Sequence, residues 1–409
     1  MAQDDMAGAQ TSAGNLLGGS NQSRVRAYNE RLVLSLVRRL GHLSKAEIAR
    51  HTGLSPQTVS VIMRSLEQDG LLMRGEPRRG KVGQPSIPMS LNPTGVFSLG
   101  LKIGRRSADL VLMDFTGAVK LQFHEAYLYP TPSGILAFVR QGSIAILDSL
   151  CVAERERIAG LGVALPFELW NWVEAVGAPS YDLDTWRHAD IAAMLSEILP
   201  FPVFLQNDAT AACAAELALG NQPNYSDFAY FFLGSFVGGG VVLNHALFPG
   251  RAGNAGAFGS MPMRDEHGRL SQLIDHASIV QLEKMVIDSG RDPSSIWLTP
   301  ETWADFGPVL DAWIDKTGMA LAHATAAACS VIDFEAIIID GGFSRDIRRR
   351  IVASTRYALA MLDLQGLIVP RIEEGRTGSS ARAIGAACLP LFSRYHIDQS
   401  VLLKDMADG

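Results

Sequence analysis

A glutamine and an arginine of the kind that read DNA bases lie two helical turns apart in this chain. Gln57 and Arg64 follow Ser55 in the segment SPQTVSVIMRSLEQDG. Glutamine pairs with adenine and arginine with guanine through two hydrogen bonds each, so we interpret both residues as candidate base readers. The residues that share their face at helical spacing are Ser60, Val61 and Gln68.

Two short helices, each with its own start and stop signal, must present that face. Ser44 and Glu47 form a capping box, and Gly53 can end the first helix in the left-handed conformation. Ser55 caps the second helix, and Pro56 takes its first position, where the missing N–H costs nothing. The apolar stripe of the second helix consists of Val59, Ile62, Met63 and Leu66, and Gly70 ends it. This pattern predicts a helix-turn-helix whose second helix enters the major groove of DNA.

The flanking residues complete a winged domain. Residues 29–40 predict a further helix, and residues 71–73 and 88–91 predict two strands joined by a basic, turn-rich segment. Such a wing would contact phosphates or the minor groove. We predict DNA contacts from Ser55, Gln57, Thr58, Ser60, Arg64, Arg74, Arg78, Arg79 and Lys81. The alternative is a helical hairpin used for protein contact, but the motif, the wing and the charge together favour DNA.

The charge is divided unequally along the chain. Residues 23–94 carry 12 Lys+Arg and 5 Asp+Glu, a net charge of +7. The whole chain has a net charge of −6, and residues 1–22 contribute −2, so the remainder carries −11. A basic head on an acidic body is expected when only one domain contacts nucleic acid.

Length and composition set further bounds. The 409 residues, 47% of them hydrophobic, suffice for two or three domains. Residues 1–22 are acidic, rich in small residues and without the basic start of a secretory signal, so we expect a disordered tail. No apolar run approaches the roughly 20 residues that span a bilayer. Without any CxxC pair, we expect reduced core thiols of a cytosolic protein at Cys151, Cys213, Cys329 and Cys388.

From residue 95 onward, strands and helices alternate in two successive units. The first unit predicts strands at 96–103, 108–115, 118–126, 158–164 and 203–206, and helices at 133–150 and 209–219. The second unit predicts strands at 228–233, 239–243, 246–248 and 336–340, and helices over 301–330 and 345–362. Two such units indicate two α/β lobes that face a cleft, where ligands bind at the carboxyl ends of strands.

The chain resembles the ROK family of repressors, open reading frames and sugar kinases. The resemblance rests on the winged head, the stretch GSNQSRVRAYNERLVLSLVR, the motif LQNDATAACAAE and the C-terminal GSSARAIGAACLPLF. The resemblance covers nearly the whole chain after Gly18. It implies an α/β fold, with an N-terminal winged helix-turn-helix followed by a two-lobed actin-like, sugar-kinase-like (ribonuclease H-like) domain. The implied divisions are a tail (1–22), a DNA-binding domain (23–94), a first lobe (95–220, completed by 380–409) and a second lobe with the effector-binding cleft (221–379).

The family's kinases carry an aspartate-glycine-glycine-threonine loop for the ATP phosphates. The matching stretch here is GLKIGRRS, in which Lys102 replaces the aspartate and Arg105 and Arg106 replace small residues. Bulky arginines would block the close backbone approach that a phosphate loop requires. We therefore expect no phosphoryl transfer and predict that the protein is not an enzyme. For the arginine pair we favour a solvated hairpin turn over an anion site.

The sugar side of the family's site is partly retained. Asn207 and Asp208 match the family's asparagine-aspartate pair, which binds sugar hydroxyls and supplies the catalytic base in kinases. We favour ligand binding over helix capping for Asp208, although the two roles are compatible. Ala257 and Ser260 replace the family's sugar-binding glutamate and its histidine, and the zinc-ligating cysteines are absent from DEHGRLSQLIDHAS, so no metal and no cofactor are predicted. The predicted effector-binding residues are Asn207, Asp208, Arg251, Asn254, Ser260, Asp275 and His276.

These features predict a sequence-specific DNA-binding transcriptional regulator, a repressor of genes for carbohydrate uptake or metabolism. Its partners would be a double-stranded DNA operator and a sugar or sugar derivative, with no membrane involved. We expect it to act in the cytoplasm as a homodimer or a dimer of dimers. Two alternatives stay open: an active ATP-dependent sugar kinase with a DNA-binding head, and a regulator controlled by a protein partner.

Overall fold

The computed structural model describes residues 22–77, 86–166, 169, 180–220, 225–251, 253–265 and 267–396. All but the last residue of the predicted tail, and the end of the first lobe's predicted completion after residue 396, lie outside the described residues. The helices and strands are numbered below in chain order.

A small helical unit with a two-stranded wing forms the N-terminal head. Its elements are α1 (Gln22–Leu40), α2 (Lys45–Thr52), α3 (Pro56–Gln68), β1 (Leu72–Arg74) and β2 (Met89–Leu91). The two strands run antiparallel, with Leu72 opposite Leu91. The predicted helix-turn-helix and wing strands are therefore confirmed. Helix α1 begins seven residues before the predicted start at residue 29, because residues 22–28 contain neither glycine nor proline to interrupt it.

Two five-stranded sheets follow the head. The first lobe is built from β3 (Phe97–Ile103), β4 (Ser107–Asp114), β5 (Val119–Ala126), α4 (Pro132–Ser149), α5 (Val152–Arg155), β6 (Ile158–Leu165), α6 (Ser180–His188), α7 (Ile191–Ile198), β7 (Val203–Asn207) and α8 (Asp208–Leu219). The sheet of this lobe has the strand order β5-β4-β3-β6-β7.

The second lobe repeats this plan with insertions. Its strands are β8 (Phe228–Leu233), β9 (Val237–Leu243), β10 (Ala246–Phe248), β11 (Pro262–Arg264), β12 (Leu270–Gln272), β13 (Ala336–Gly341) and β14 (Arg371–Glu374). Its helices are α9 (Ile274–Ala277), α10 (Ile279–Asp288), α11 (Ser294–Leu298), α12 (Pro308–Cys329) and α13 (Arg345–Ala360), and the chain closes with α14 (Ala381–Tyr395).

The two large sheets share one topology. The second sheet has the order β10-β9-β8-β13-β14, so each sheet places its first three strands as an antiparallel meander and adds two strands parallel to the first. The prediction of two successive α/β units is confirmed. Residues 301–330 are mostly helical, as predicted, in two separate helices. A 3-10 helix over Pro300–Phe306 comes first, and Gly307, at a φ of 55°, separates it from α12.

Helix α14 returns to the first lobe and packs closely on its sheet. A Cβ at Gly100 would lie 2.2 Å from the Ala383 carbonyl oxygen, and a Cβ at Gly162 would lie 1.8 Å from that of Ala386. Since real Cβ atoms do not approach other atoms so closely, both positions require glycine. The small residues of α14 and of the sheet together allow the helix axis to approach the strands.

The head and the first lobe share one hydrophobic core. Val33 and Val37 of α1 belong to the same buried cluster as Met113 of β4 and Cys388 and Leu391 of α14. Around this core, the Arg38 guanidinium donates a 2.7 Å hydrogen bond to the Phe115 carbonyl oxygen and lies 5.2 Å from the centre of the Phe115 ring. The ring of Tyr395 packs edge-on against Phe115 from the other side, at 5.2 Å. The head is therefore fixed on the body by burial.

One cysteine departs from the predicted pattern. Cys213, Cys329 and Cys388 are buried free thiols, as predicted, but Cys151 is exposed. Cys151 lies just before the short helix α5 at the surface of the first lobe, where its neighbours Val152 and Ala153 are also exposed. Among the described residues, no helix is both long enough and apolar enough to cross a membrane.

Replacing Phe115 by alanine should destabilise the protein because it removes a fully buried ring from the core between head and body. We expect the free energy of unfolding to fall by about 3–5 kcal/mol in urea denaturation. The matched control is Phe248→Ala, since that ring is 45% exposed, and it should cost less than half as much. Equal losses for the two variants would show that the interface with the head contributes little to stability.

Candidate functional site

The recognition helix is positioned by the caps that the sequence indicates. The Ser44 backbone N–H donates to Glu47 Oε2 at 2.8 Å, and the Glu47 N–H donates to Ser44 Oγ at 3.3 Å, which completes the capping box of α2. Gly53 ends α2 at a φ of 70°. At the start of α3, Ser55 Oγ accepts a 3.1 Å hydrogen bond from the Thr58 N–H. The turn between the two helices is therefore held at both ends by side-chain caps.

The two faces of α3 divide as predicted. Val59, Ile62, Met63 and Leu66 are buried in the core of the head. The opposite face exposes Gln57, Val61, Arg64 and Gln68 to solvent, while Thr58 and Ser60 are half-buried beside it. Gln57 and Arg64 thus share an exposed stripe two turns long, as major-groove reading by a recognition helix requires.

One of the predicted DNA contacts of the wing, Arg74, is ion-paired within the head. The Arg74 guanidinium makes a two-pronged ion pair with Glu67 of α3, at 2.6 Å from Nε to Oε1 and 3.1 Å from Nη2 to Oε2. This pair fastens the first wing strand to the recognition helix and engages the guanidinium that was predicted to contact phosphate. The other predicted wing contacts, Arg78, Arg79 and Lys81, lie outside the described residues.

A cavity of about 300 Å³ opens between the two lobes. Lys102, which replaces the kinase aspartate, lies at its wall and donates hydrogen bonds to Asp109 Oδ2 at 2.9 Å and to Ser107 Oγ at 2.8 Å. Burial, together with the nearby positive charge of Arg382, lowers the pKa of Lys102 to about 8. The ammonium group is thus held in a partly desolvated, strongly electrostatic position.

The prediction of a solvated turn at the arginine pair is wrong for Arg105. Its side chain is buried, with Nη1 at 3.2 Å from Glu283 Oε2 of the second lobe and the guanidinium 5.1 Å from the centre of the Trp297 ring. Trp297 Nε1 donates to the other oxygen of Glu283 at 2.9 Å. Arg105 therefore ties the first lobe to the second, because a carboxylate and an aromatic face are available across the cleft. Arg106 is half-buried and donates to the Leu128 carbonyl oxygen.

The asparagine-aspartate pair lies where β7 meets α8, but the two residues have separate tasks. Asn207 caps α8, since its Oδ1 accepts hydrogen bonds from the N–H groups of Ala209 at 3.1 Å and Thr210 at 3.2 Å. The capping role considered for Asp208 is therefore filled by its neighbour. Asp208 Oδ2 instead accepts a 3.3 Å hydrogen bond from Arg382 Nη1 of α14. Sequence reasoning missed this partner, although the arginine stands conspicuously within the small-residue stretch GSSARAIG.

The remaining predicted effector residues are spread over the loops of the second lobe. Arg251 and Asn254 are exposed in the turn after β10, and Ser260 is exposed at the end of a 3-10 helix. Asp275 Oδ2 accepts from the Gln272 N–H at 3.0 Å, and His276 Nε2 lies 2.8 Å from Ser271 Oγ, so both hold the β12–α9 connection. Within the described part of the chain, none of the seven predicted residues lines the inter-lobe cavity. Asp208 reaches the cavity wall through Arg382.

The segment that leads into α14 is anchored by two buried carboxylates. Asp340 of β13 accepts hydrogen bonds from Arg348 Nη1 at 2.9 Å and from the Gly378 N–H at 2.9 Å. Glu216 of α8 accepts from the Arg376 N–H at 3.0 Å, and its other oxygen is buried with no partner among the described residues. Burial raises the pKa of Glu216 to about 7. Among the residues described, no group of three or more His, Cys, Asp or Glu side chains is placed to hold a metal ion.

Comparison with known proteins agrees with this architecture. The profile of the ROK family matches residues 98–282, and that of the winged helix-turn-helix DNA-binding domain matches residues 26–73. An uncharacterized protein, y4fQ, of Sinorhizobium fredii is 24% identical over 90% of this chain and 92% of its own length. The xylose repressor of Bacillus spizizenii is 24% identical over 59% of this chain, and the match spans 62% of that repressor.

A solved structure extends the likeness to nearly the whole chain. A ROK family transcriptional regulator, described as a homologue of the Escherichia coli MLC protein, superposes with a TM-score of 0.64 at 18% identity, over 93% of this chain and 99% of that one. At this identity the likeness establishes the fold. The fold and the two profile matches define a sugar-kinase-like body behind a DNA-binding head. The chain therefore carries a ROK family domain behind an N-terminal winged helix-turn-helix.

The raised pKa of Glu216 predicts a pH-dependent stability. A carboxyl whose folded-state pKa lies above its unfolded value binds more protons when folded, so stability falls as the pH rises from about 4.5 to about 7 and is level above that range. Glu216→Gln should remove this fall and raise stability at pH 8 by about 2–3 kcal/mol. Thermal unfolding of both proteins across this range checks the prediction.

The exposed Glu197→Gln variant is the matched control, and its melting curve should keep the wild-type pH dependence. Parallel pH profiles for wild type and Glu216→Gln would contradict a buried carboxyl with a raised pKa.

Proposed function

We propose that this protein is a sequence-specific DNA-binding transcriptional regulator, a repressor, of genes for carbohydrate uptake or metabolism. The observation that carries the proposal is the exposed stripe of Gln57 and Arg64 on a capped recognition helix. A basic head with this geometry fits the major groove of DNA, whereas the acidic body does not. Xylose and N-acetylglucosamine repressors are among the similar proteins, which supports a repressor rather than an enzyme.

The body would act as the sensor of a sugar or sugar derivative. Asp208 and Asn207 lie at the carboxyl end of β7, where α/β folds bind ligands, and Asp208 faces Arg382 at the cavity wall. Lys102 stands in ion-pair contact with Asp109 where the family's kinases have an aspartate, so this position lacks the carboxylate that would organise a magnesium-bound phosphate. The cleft is thus suited to binding and less so to phosphoryl transfer.

The regulator would act in the cytoplasm, where its DNA is, as a homodimer or a dimer of dimers. Two recognition helices related by a two-fold axis would read half-sites about one or two helical turns apart. An effector would change operator affinity only through unequal binding to the DNA-competent and DNA-incompetent states.

The direct test is binding of the full chain to the promoter beside its own gene, measured by gel shift at low and moderate salt. We expect a discrete complex that resists excess unrelated DNA, and release by a sugar taken from a panel of neutral, acidic and phosphorylated sugars. Failure to distinguish the promoter from unrelated DNA would overturn the proposal. Turnover of ATP and a sugar to a sugar phosphate would favour the kinase alternative instead.

Replacing Gln57 by alanine should relax specificity at one base position of the operator. A bidentate side chain–base contact discriminates by about 1–3 kcal/mol, so variants of that base pair should bind the mutant almost equally. Competition assays with single-base operator variants measure this change. The control is the exposed Gln141→Ala on α4 of the first lobe, outside the DNA-binding head and the cavity, which should leave the base preferences unchanged. A uniform loss of affinity for every operator variant would instead assign Gln57 a structural role.

Replacing Asp208 by asparagine should abolish the response to the effector and leave operator binding intact. The substitution keeps the size of the side chain and removes the charge that faces Arg382. Gel shifts with and without the releasing sugar measure both properties in one assay. Asp288→Asn, on an exposed end of α10, is the charge-matched control. Loss of operator binding itself would show that Asp208 is needed for the fold of the body and would not assign it to the effector response.

A further inference from the structure

Four cationic side chains are among the residues that line the inter-lobe cavity. Lys102, Arg105, Arg106 and Arg382 line it together with one carboxylate, Asp109. Two further carboxylates, Asp208 and Glu283, stand behind the wall. With Asp109 they make three carboxylates against four cations. This excess lies within a chain whose body is strongly acidic. A local reversal of sign in a concave site focuses the electrostatic potential on a negatively charged ligand.

Two of these cations lie close enough to repel each other. The charge of Arg382 contributes to lowering the pKa of Lys102, after burial itself, while Asp109 and Asp208 oppose that effect. The Lys102 side chain is 91% buried, and its ammonium donates only toward Asp109 and Ser107 on its own hairpin. An additional negative charge between Lys102 and Arg382 would relieve the repulsion.

The start of α14 points its backbone dipole at the same place. Ser379, Ser380, Arg382 and Ala383 line the cavity, and the helix runs on for 15 residues. Its N-cap residue, Ser380, makes no side-chain capping bond. The Ala381 N–H already donates to the Gly378 carbonyl oxygen of the 3-10 helix before α14, so this end of the helix contributes chiefly the positive end of its macrodipole, which attracts an oxyanion. The guanidinium of Arg105, whose buried Nε has no hydrogen-bond partner among the described residues, also lines the cavity.

The size of the cavity restricts what it can hold. Its volume of about 300 Å³ is at the lower end of the range of roughly 300–1,000 Å³ found for small-molecule sites. The wall also offers hydroxyl and amide groups, Ser107, Gln122 and Ser235, and the edge of Trp297. This combination suits a small polar molecule that carries one acidic group.

We propose that this cavity binds the oxyanion group, phosphate or carboxylate, of a small acidic metabolite, held by Lys102, Arg382 and the start of α14. The proposal deepens the function proposed above, because it gives the effector a charge and a position. The oxyanion lies against first-lobe cations while Gly234, Ser235 and Gly342 of the second lobe close over it. The bound metabolite thus contacts both lobes at once.

The test is calorimetry and thermal unfolding of the full chain without DNA, so that its outcome is independent of operator binding. The probes are inorganic phosphate, glucose 6-phosphate, gluconate and neutral glucose, each at low salt. We expect saturable heat and a raised melting temperature with phosphate or gluconate, weakening as salt rises, and none with glucose. Tighter binding of glucose 6-phosphate than of free phosphate would identify a sugar ester, and preference for gluconate would identify a sugar acid.

Two variants assign the binding to the proposed groups. Lys102→Met keeps the length of the side chain and should weaken anion binding by about tenfold or more, as expected for loss of a charge-assisted hydrogen bond. The control, Lys120→Met on the exposed strand β5, should bind as the wild type does. The double variant Arg382→Gln/Asp208→Asn removes one charge of each sign and should lose affinity similarly. The assignment is overturned if anion binding is as tight in the Lys102 and Arg382 variants as in the wild type.

A measurement on the wild type guards against a Lys102 variant that fails to fold. An anion beside Lys102 raises the pKa of its ammonium, so binding at pH 8 takes up protons, and the apparent heat depends on the buffer's ionisation enthalpy. The charged groups that face Lys102 are Arg382, Asp109, Asp208 and, through Asp109, His124. Absence of saturable binding by both phosphate and gluconate overturns the proposal. If an anion binds in the cavity but does not change operator binding, the anion site stands and its role as the effector site is overturned.

Discussion

The burial of head and first lobe in one hydrophobic core is the constraint on which the rest of the structure depends. Side chains of α1 and α3 belong to the same cluster as residues of β4, β6 and α14, with Phe115 and Arg38 at the junction. Separating the head from the lobe would return much of this apolar surface to water, at about 25 cal/mol per Å². The DNA-binding head is therefore held to the first lobe by shared burial.

Helix α14 connects the cleft to the head. Its first turn lines the cleft, and its last turn, with Leu391 and Tyr395, packs under the head. The two ends of a helix of this length are about 22 Å apart. Glycines of the sheet hold it rigidly in place, since no other residue fits under its backbone. The segment that enters it is held by Asp340 from the second lobe and Glu216 from the first. A change in the cleft therefore acts on α14, the helix that supports the head.

Features that depend on residues close together in the sequence, such as helix caps, were predicted correctly. Contacts between residues far apart in the sequence were missed. The caps at Ser44 and Ser55 and the buried stripe of α3 are local signals, and the structure has them as predicted. The pairs Arg382–Asp208 and Arg105–Glu283 join residues more than 170 positions apart. No local pattern encodes such a pair, and the turn that contains Arg105 resembles any solvated hairpin until the second lobe is packed against it. The resemblance indicated a cleft between two lobes, but none of the seven predicted effector residues lines the cavity, and only the fold reveals its positive charge.

In the proposed dimer, the position of the contact between the two protomers would decide whether closure of the cleft reaches the DNA. In this state Arg105 and Glu283 already hold the lobes together, and a ligand that contacts both lobes would favour the same arrangement. Since the head is fixed to the first lobe, closure moves the second lobe relative to the head. In a dimer held through its second lobes, that movement would change the spacing of the two recognition helices. In a dimer held through its first lobes, the heads would keep their spacing, and a ligand would have to act through α14 alone.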